Sequence, residues 1–188
     1  MIKLNYILFL LCLFGCKHPE SNDYNRYKDV HTEGILNTAS SSETSGYKVI
    51  GIKDGDTYVV LIDGKEQVIR LEHIDCPEKK QPFGTKAKQF ASDLCFEQFV
   101  QVNHKNKFDR NKRLIAEIIL LNGTNVNKEL VINGLAWHFK KYSDNEEYAE
   151  LEIKARNNQI GIWSEQNPIA PWDWRKNRQM TRQNTMEK

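Results

Sequence analysis

The sequence lacks an apolar run long enough to span a membrane: the stretch from Tyr6 to Phe14 falls well short of the roughly 20 residues such a helix needs. It is poor in cysteine, with four. The two expected in the folded part, Cys76 and Cys95, lack companion histidines at ligand spacing, which argues against a zinc site. An excess of charge of one sign is missing too. With 27 basic and 25 acidic side chains the formal net charge is +2, so a nucleic-acid partner has to be read from the position of charges rather than their total. No internal repeat is evident. The chain has 28% charged and 39% hydrophobic residues, an ordinary globular balance that argues against a wholly disordered chain. Its 188 residues suffice for one domain with a sizeable core and a flanking tail.

The N-terminal segment "MIKLNYILFLLCLFGC" carries a lysine near its start, an apolar stretch and a small residue before Cys16. That is the layout of a secretory signal with its cleavage site. "LFGC" also resembles a lipobox, which makes residues 1–16 a lipoprotein signal peptide and Cys16 the residue that carries lipid. The expectation is an extracytoplasmic protein, either anchored to a membrane of the cell envelope as a lipoprotein or secreted. Residues 17–45 are polar, end in "NTASSSETSG" and show no sustained apolar period, as a flexible tether would. If Cys12 leaves with the signal and Cys16 takes lipid, Cys76 and Cys95 remain for the folded part. An exported compartment permits them to pair, and two buried thiols are the alternative.

The folded unit is expected to begin near Tyr47. "YKVIGIKDGDTYVVLIDGKEQVIRLEHID" gives three β-rich runs, and its "DG" at residues 63 and 64 is a hairpin signal. "TKAKQFASDLCFEQF" places Ala87, Phe90, Ala91 and Leu94 at helical spacing. "FVQVNHKNKF" and "RLIAEIILLNG" read as a fourth and a fifth strand. "NVNKELVINGLA" reads as a short helix closed by Gly134. "SDNEEYAELEIKARNNQIG" reads as a longer one, capped by Ser143 or Asp144 and stopped at Gly161. Five strands with a helix between the third and fourth is the order of an OB-type barrel. The fold class is therefore α+β, a five-stranded OB-fold barrel with about three helices. The domain is placed at 46–175 and a basic tail without periodicity at 176–188. Trp172 and Trp174 are expected to pack on the domain, with Arg175, Lys176, Arg178 and Arg182 as a solvated fringe.

A candidate site emerges from counting the hairpin. A two-residue turn at Asp63 and Gly64 sets Ile62 opposite Lys65, Thr57 opposite Arg70 and Asp56 opposite Leu71. Arg70 therefore lies near Asp56. Asp75, four residues past Leu71, would lie roughly 13 Å further along if extended. Barrel curvature or a turn has to bring it back. Three carboxylates gathered there, Asp56, Asp75 and Glu78, repel one another unless a hard cation sits among them. Oxygen ligands favour calcium or magnesium over zinc. Arginines beside them make sense if an anion binds too, because a guanidinium grips phosphate bidentately.

"DGDT" at 54–57, "RLEHIDCPE" at 70–78, "GLAW", "GIW" and "PWDWR" together resemble the staphylococcal nuclease family, or thermonucleases, from about Val49 to Arg175. The resemblance implies a calcium-dependent endonuclease that hydrolyses DNA and RNA on the 5′-oxygen side, acting as a monomer. Carried over by position, it makes Asp56, Asp75 and the backbone carbonyl of Cys76 the Ca2+ ligands. Glu78 becomes the carboxylate on the attacking water, and Arg70 and Arg113 the clamp on the scissile phosphate. Tyr142 resembles the aromatic near the nucleotide, with Lys140 and Lys141 positioned to meet phosphates. The pattern departs at "DRNKR", where Asn111 and Lys112 replace an aromatic residue and a small one. A lysine is strained at φ > 0, so the aim of Arg113 depends on this loop.

Four other features carry no catalytic role at this stage. His73 and His138 read as packing or surface histidines, Asp54 as a turn former, and Glu146, Glu147, Glu150 and Glu152 as a charged outer helix face. A rival to the nuclease is a non-catalytic OB-fold lipoprotein that binds nucleic acid by stacking and basic grooves. The acids discriminate between the two, since a pure binder has no need of carboxylates that repel its ligand.

Overall fold

The computed structural model describes residues 46–186. The signal peptide, the tether and Cys16 lie outside the described residues. Among the described residues no helix is long and apolar enough to cross a membrane.

Five strands close a barrel: β1 (Tyr47–Asp54), β2 (Thr57–Ile62), β3 (Lys65–Leu71), then, further along the chain, β5 (Phe99–Phe108) and β6 (Leu114–Leu120). They pair in the order β1-β2-β3-β6-β5. Alternation explains why these segments become strands: Val49, Tyr58, Val60, Ile69, Ala116 and Ile118 point inward and are fully buried. Irregular register in β1, between Val49 and Gly51 and again between Ile52 and Asp54, bends the sheet toward closure. The hairpin pairs as counted, with Ile62 opposite Lys65 and Thr57 opposite Arg70. The Leu71 amide donates to the Asp56 carbonyl at 2.9 Å.

Asp75 returns by a turn. His73 takes a left-handed φ of 70° just past β3, and the chain then forms a two-residue strand, β4 (Ile74–Asp75). It pairs with a second short strand, β7 (Trp137–His138), outside the barrel. Neither short strand is visible as periodicity. Buried Asn127 ties this turn to the barrel, donating to the Glu72 carbonyl at 3.0 Å and accepting from the Ile118 amide at 3.1 Å.

Helix α1 (Gly84–Cys95) lies between β3 and β5 in sequence, and α2 (Val126–Ile132) and α3 (Glu146–Asn157) follow the barrel strands. Gly134 follows α2 at φ 60°, as a left-handed closing residue should. The cap of α3 is Asn145, whose side chain accepts from the Glu147 amide, rather than Ser143 or Asp144. The Ser143 hydroxyl is already taken by two histidines, His73 at 2.8 Å and His138 at 2.9 Å. Helix α3 ends before Asn158, and Gly161 opens a short 3-10 helix, Gly161–Ser164, instead of stopping α3.

The tail is a further correction. A fourth helix, α4, runs Pro171–Met186. Pro171 begins it, a position where proline loses no helical hydrogen bond. Trp172 does pack on the domain, stacking on Phe139 at 5.2 Å between centroids and meeting Trp137 edge-on at 5.6 Å. Arg156 lies over the Trp163 ring at 3.9 Å in the same cluster. Cys76 and Cys95 are both free, buried thiols.

Candidate active site

The site begins with the β2–β3 hairpin. Arg70 lies between two acids, Nη1 at 2.6 Å from Asp56 Oδ2 and Nη2 at 2.6 Å from Asp75 Oδ1. Its side chain is 14% exposed and that of Asp75 1%, so these ions are paired where neither could stand alone. Asp56 Oδ2 also accepts from the Cys76 amide at 2.7 Å, which fixes the Cys76 backbone beside the pair. Burial pushes the Asp75 carboxyl up in pKa, against the pull of Arg175 and Arg70. Asp54 does form the expected turn, accepting from the Asp56 amide at 3.3 Å. Burial and the neighbouring Asp56 charge also raise its pKa to about 6.

Arg113 reaches the same corner from the β5–β6 loop, its Nη1 donating to Thr57 Oγ1 at 3.1 Å. Lys112 takes φ 59° despite its side chain, and Asp109 organises the turn around it. Asp109 Oδ1 accepts from the Asn111 amide at 2.8 Å and the Arg113 amide at 3.0 Å, and Oδ2 accepts from Arg113 Nε at 2.7 Å. Burial would raise the Asp109 carboxyl, but these hydrogen bonds outweigh it and hold it below the usual range.

Glu78 is placed by contacts outside the barrel. Its amide donates to Gln81 Oε1 at 3.1 Å, and Gln81 Nε2 donates to the Ile169 carbonyl at 2.6 Å. At Gly84 a Cβ would stand 1.9 Å from the Glu78 carbonyl oxygen, so only glycine lets α1 begin this close to the loop.

The three carboxylates do not gather as a bare cluster. Among the described residues no group of three His, Cys, Asp or Glu side chains converges as a metal site would. Guanidiniums are interleaved instead: Arg70 separates Asp56 from Asp75, and Arg175 separates Asp75 from Glu78. Arg175, expected in a solvated fringe, donates from Nη2 to Asp75 Oδ2 at 2.7 Å and from Nη1 to Glu78 Oε1 at 2.8 Å. Helix α4 brings it there. The available signal was proline opening a helix, with two tryptophans to pin the first turn and an arginine just after them.

Glu152 is a second correction. It is buried rather than on an outer face, accepting from the His138 amide at 3.2 Å and pairing with Lys140 at 3.2 Å and Arg156 at 3.4 Å. Its spacing from Tyr148 and Ala155, both buried, places it on the inward stripe of α3. Lys140 is thus held to α3. Tyr142, 72% exposed and edge-on to Phe139 at 4.9 Å, presents a free face to solvent. Lys141 lies over its ring at 5.4 Å.

Residues 68–165 match the family described as Staphylococcal nuclease homologue. A Haemophilus influenzae protein named as an uncharacterized endonuclease is 39% identical over 140 residues, covering 74% of this chain and 78% of its own. The micrococcal nuclease of Shigella flexneri is 37% identical over 139 residues, covering 69% and 79%. A rice protein named probable staphylococcal-like nuclease CAN2 is 31% identical over 148 residues, covering 79% of this chain and 38% of its own. The chain belongs to the staphylococcal nuclease family.

Proposed function

We propose that this protein is a calcium-dependent endonuclease that hydrolyses DNA and RNA outside the cytoplasm. The observation that carries the reading is the corner at Asp56 and Thr57, where Arg70 and Arg113 arrive from separate segments beside two buried acids. Arginine pairs matched to carboxylates serve equally to hold a phosphodiester. Water attacking such a centre meets negative charge, so catalysis here is positioning and charge neutralisation. Arg70 and Arg113 neutralise the nonbridging oxygens, and Glu78 orients the water and takes its proton. Tyr142 offers a face to a base or sugar, and Lys141 offers charge to the backbone.

The donors present fit a hard cation. Asp56, Asp75 and the Cys76 carbonyl are oxygens. The Cys76 thiol is buried, and burial raises its pKa well above the ordinary thiol value. When bound, calcium would polarise a phosphate oxygen as a Lewis acid.

Cleavage on the 5′-oxygen side leaves a 3′-phosphate. The test is digestion of an end-labelled single-stranded oligonucleotide with calcium: internal cuts ending in 3′-phosphate are expected, and 3′-hydroxyl ends would contradict the assignment. The lipobox resemblance supports attachment of lipid at Cys16 and a membrane-tethered location. Metabolic labelling with a fatty acid should mark the protein and fail in Cys16→Ala. Label retained in that variant would contradict the anchor.

A further inference from the structure

Asp75 has no oxygen left over. Oδ1 faces Arg70 Nη2 at 2.6 Å and Arg175 Nη1 at 3.3 Å, while Oδ2 accepts from Arg175 Nη2 at 2.7 Å. A carboxylate this buried needs compensating charge, and Arg175 supplies it from the far end of the chain. The two arginines differ in how they are held. Arg70 is 14% exposed and clamped at both ends, by Asp56 and by Asp75. Arg175 is 40% exposed, and residues 176–183, which follow it on α4, are exposed. Its helix is fixed one turn earlier, by Trp172 on Phe139, so the guanidinium can leave Asp75 while the backbone stays. The bond to Glu78 Oε1, at 2.8 Å, involves an acid outside the cation's donor set.

We infer that Arg175 is a positioning residue that competes with the cation for Asp75. It holds Asp75 and Glu78 in place when no cation is bound, gives up Asp75 Oδ2 when one arrives, and keeps its bond to Glu78. The inference rests on the calcium reading above. It makes α4 a determinant of cation affinity, and it separates two effects of one side chain: Arg175 weakens cation binding and orients the carboxylate that serves the water.

The test is calorimetric titration of the wild-type protein, Arg175→Gln and Arg175→Lys with calcium, without nucleic acid, beside melting curves in chelator. Arg175→Gln should bind calcium about tenfold more tightly, as expected when a competing ion pair is removed, and should melt lower in chelator. Its kcat at saturating calcium should fall. Arg175→Lys keeps the charge without the two-pronged grip and should lie between the two in affinity, which preserves the test if the glutamine variant fails to fold. Wild-type binding with no gain in either variant would overturn the inference while leaving calcium dependence intact. No uptake of calcium by any of the three would overturn the calcium reading and the inference together.

Discussion

The two sides of the site are built differently. Asp56, Thr57 and Arg70 sit on one hairpin and are placed by its backbone ladder, Thr57 directly opposite Arg70. Asp75, Glu78 and Arg175 are placed by side chains and turns. These include the left-handed His73, the close approach at Gly84, the Gln81 link to Ile169, and an ion pair between residues 97 positions apart. A ladder resists displacement because every neighbouring pair must slip together. A set of side-chain contacts can change one at a time. The barrel side is therefore the fixed half of the site, and the loop side the half whose contacts can change singly.

The sharpest way to break this comparison is to disarm the loop side alone. Glu78→Gln should lower cleavage of single-stranded DNA by about 10² to 10⁴-fold, the usual worth of a positioned base, while nucleotide binding and melting temperature stay close to wild type. An undiminished rate would remove Glu78 from the chemistry. A smaller effect is expected from backbone displacement. Gly84→Ala puts a methyl 1.9 Å from the Glu78 carbonyl and should cost about tenfold or more in kcat, as misplacement of a reacting group does. Gly64→Ala, at φ 72° in the hairpin turn with no atom within 4 Å of its new methyl, should cost about 1 kcal/mol of stability and leave kcat unchanged. Equal kinetic losses in the two alanine variants would show that the halves do not differ.

Asp109→Asn sharpens the barrel side. It weakens the grip on Arg113 and should raise KM several-fold, with little change in fold, when assayed across DNA concentrations.

The mildest effect is one of pH. Burial holds the His138 imidazole below its ordinary 6.5, so the folded state binds fewer protons than the unfolded one as pH falls. The stability tied to neutral His138 is full above 6.5 and is lost as pH drops through the lowered value. Melting curves from pH 7.5 to 5 should show this slope in wild type and a flatter one in His138→Gln.

The same division decides what could be read from the sequence. The hairpin register follows from one two-residue turn, so Arg70 beside Asp56 was legible before any fold was known. The return of Asp75 was not, because the His73 turn and the pairing of Asp75 with Trp137 leave no periodic signal. Arg175 was read as solvated because nothing local records a partner 97 residues away. Lys112 was expected to strain its loop, and it adopts the left-handed conformation because Asp109 supplies three hydrogen bonds around it. Glu152 has acidic neighbours that suggest an outer face, but its spacing from Tyr148 and Ala155 puts it on the buried stripe. Contacts set by the hairpin ladder were legible, and those set by a single distant ion pair were not.

The central claim is that these acids and arginines hydrolyse nucleic acid only with a divalent cation among them. Single-stranded DNA incubated with the purified protein in calcium, then in calcium plus excess chelator, tests it most directly. Internal cleavage is expected in the first and none in the second, restored when calcium is returned; full cleavage in chelator would show that these residues act without a cation.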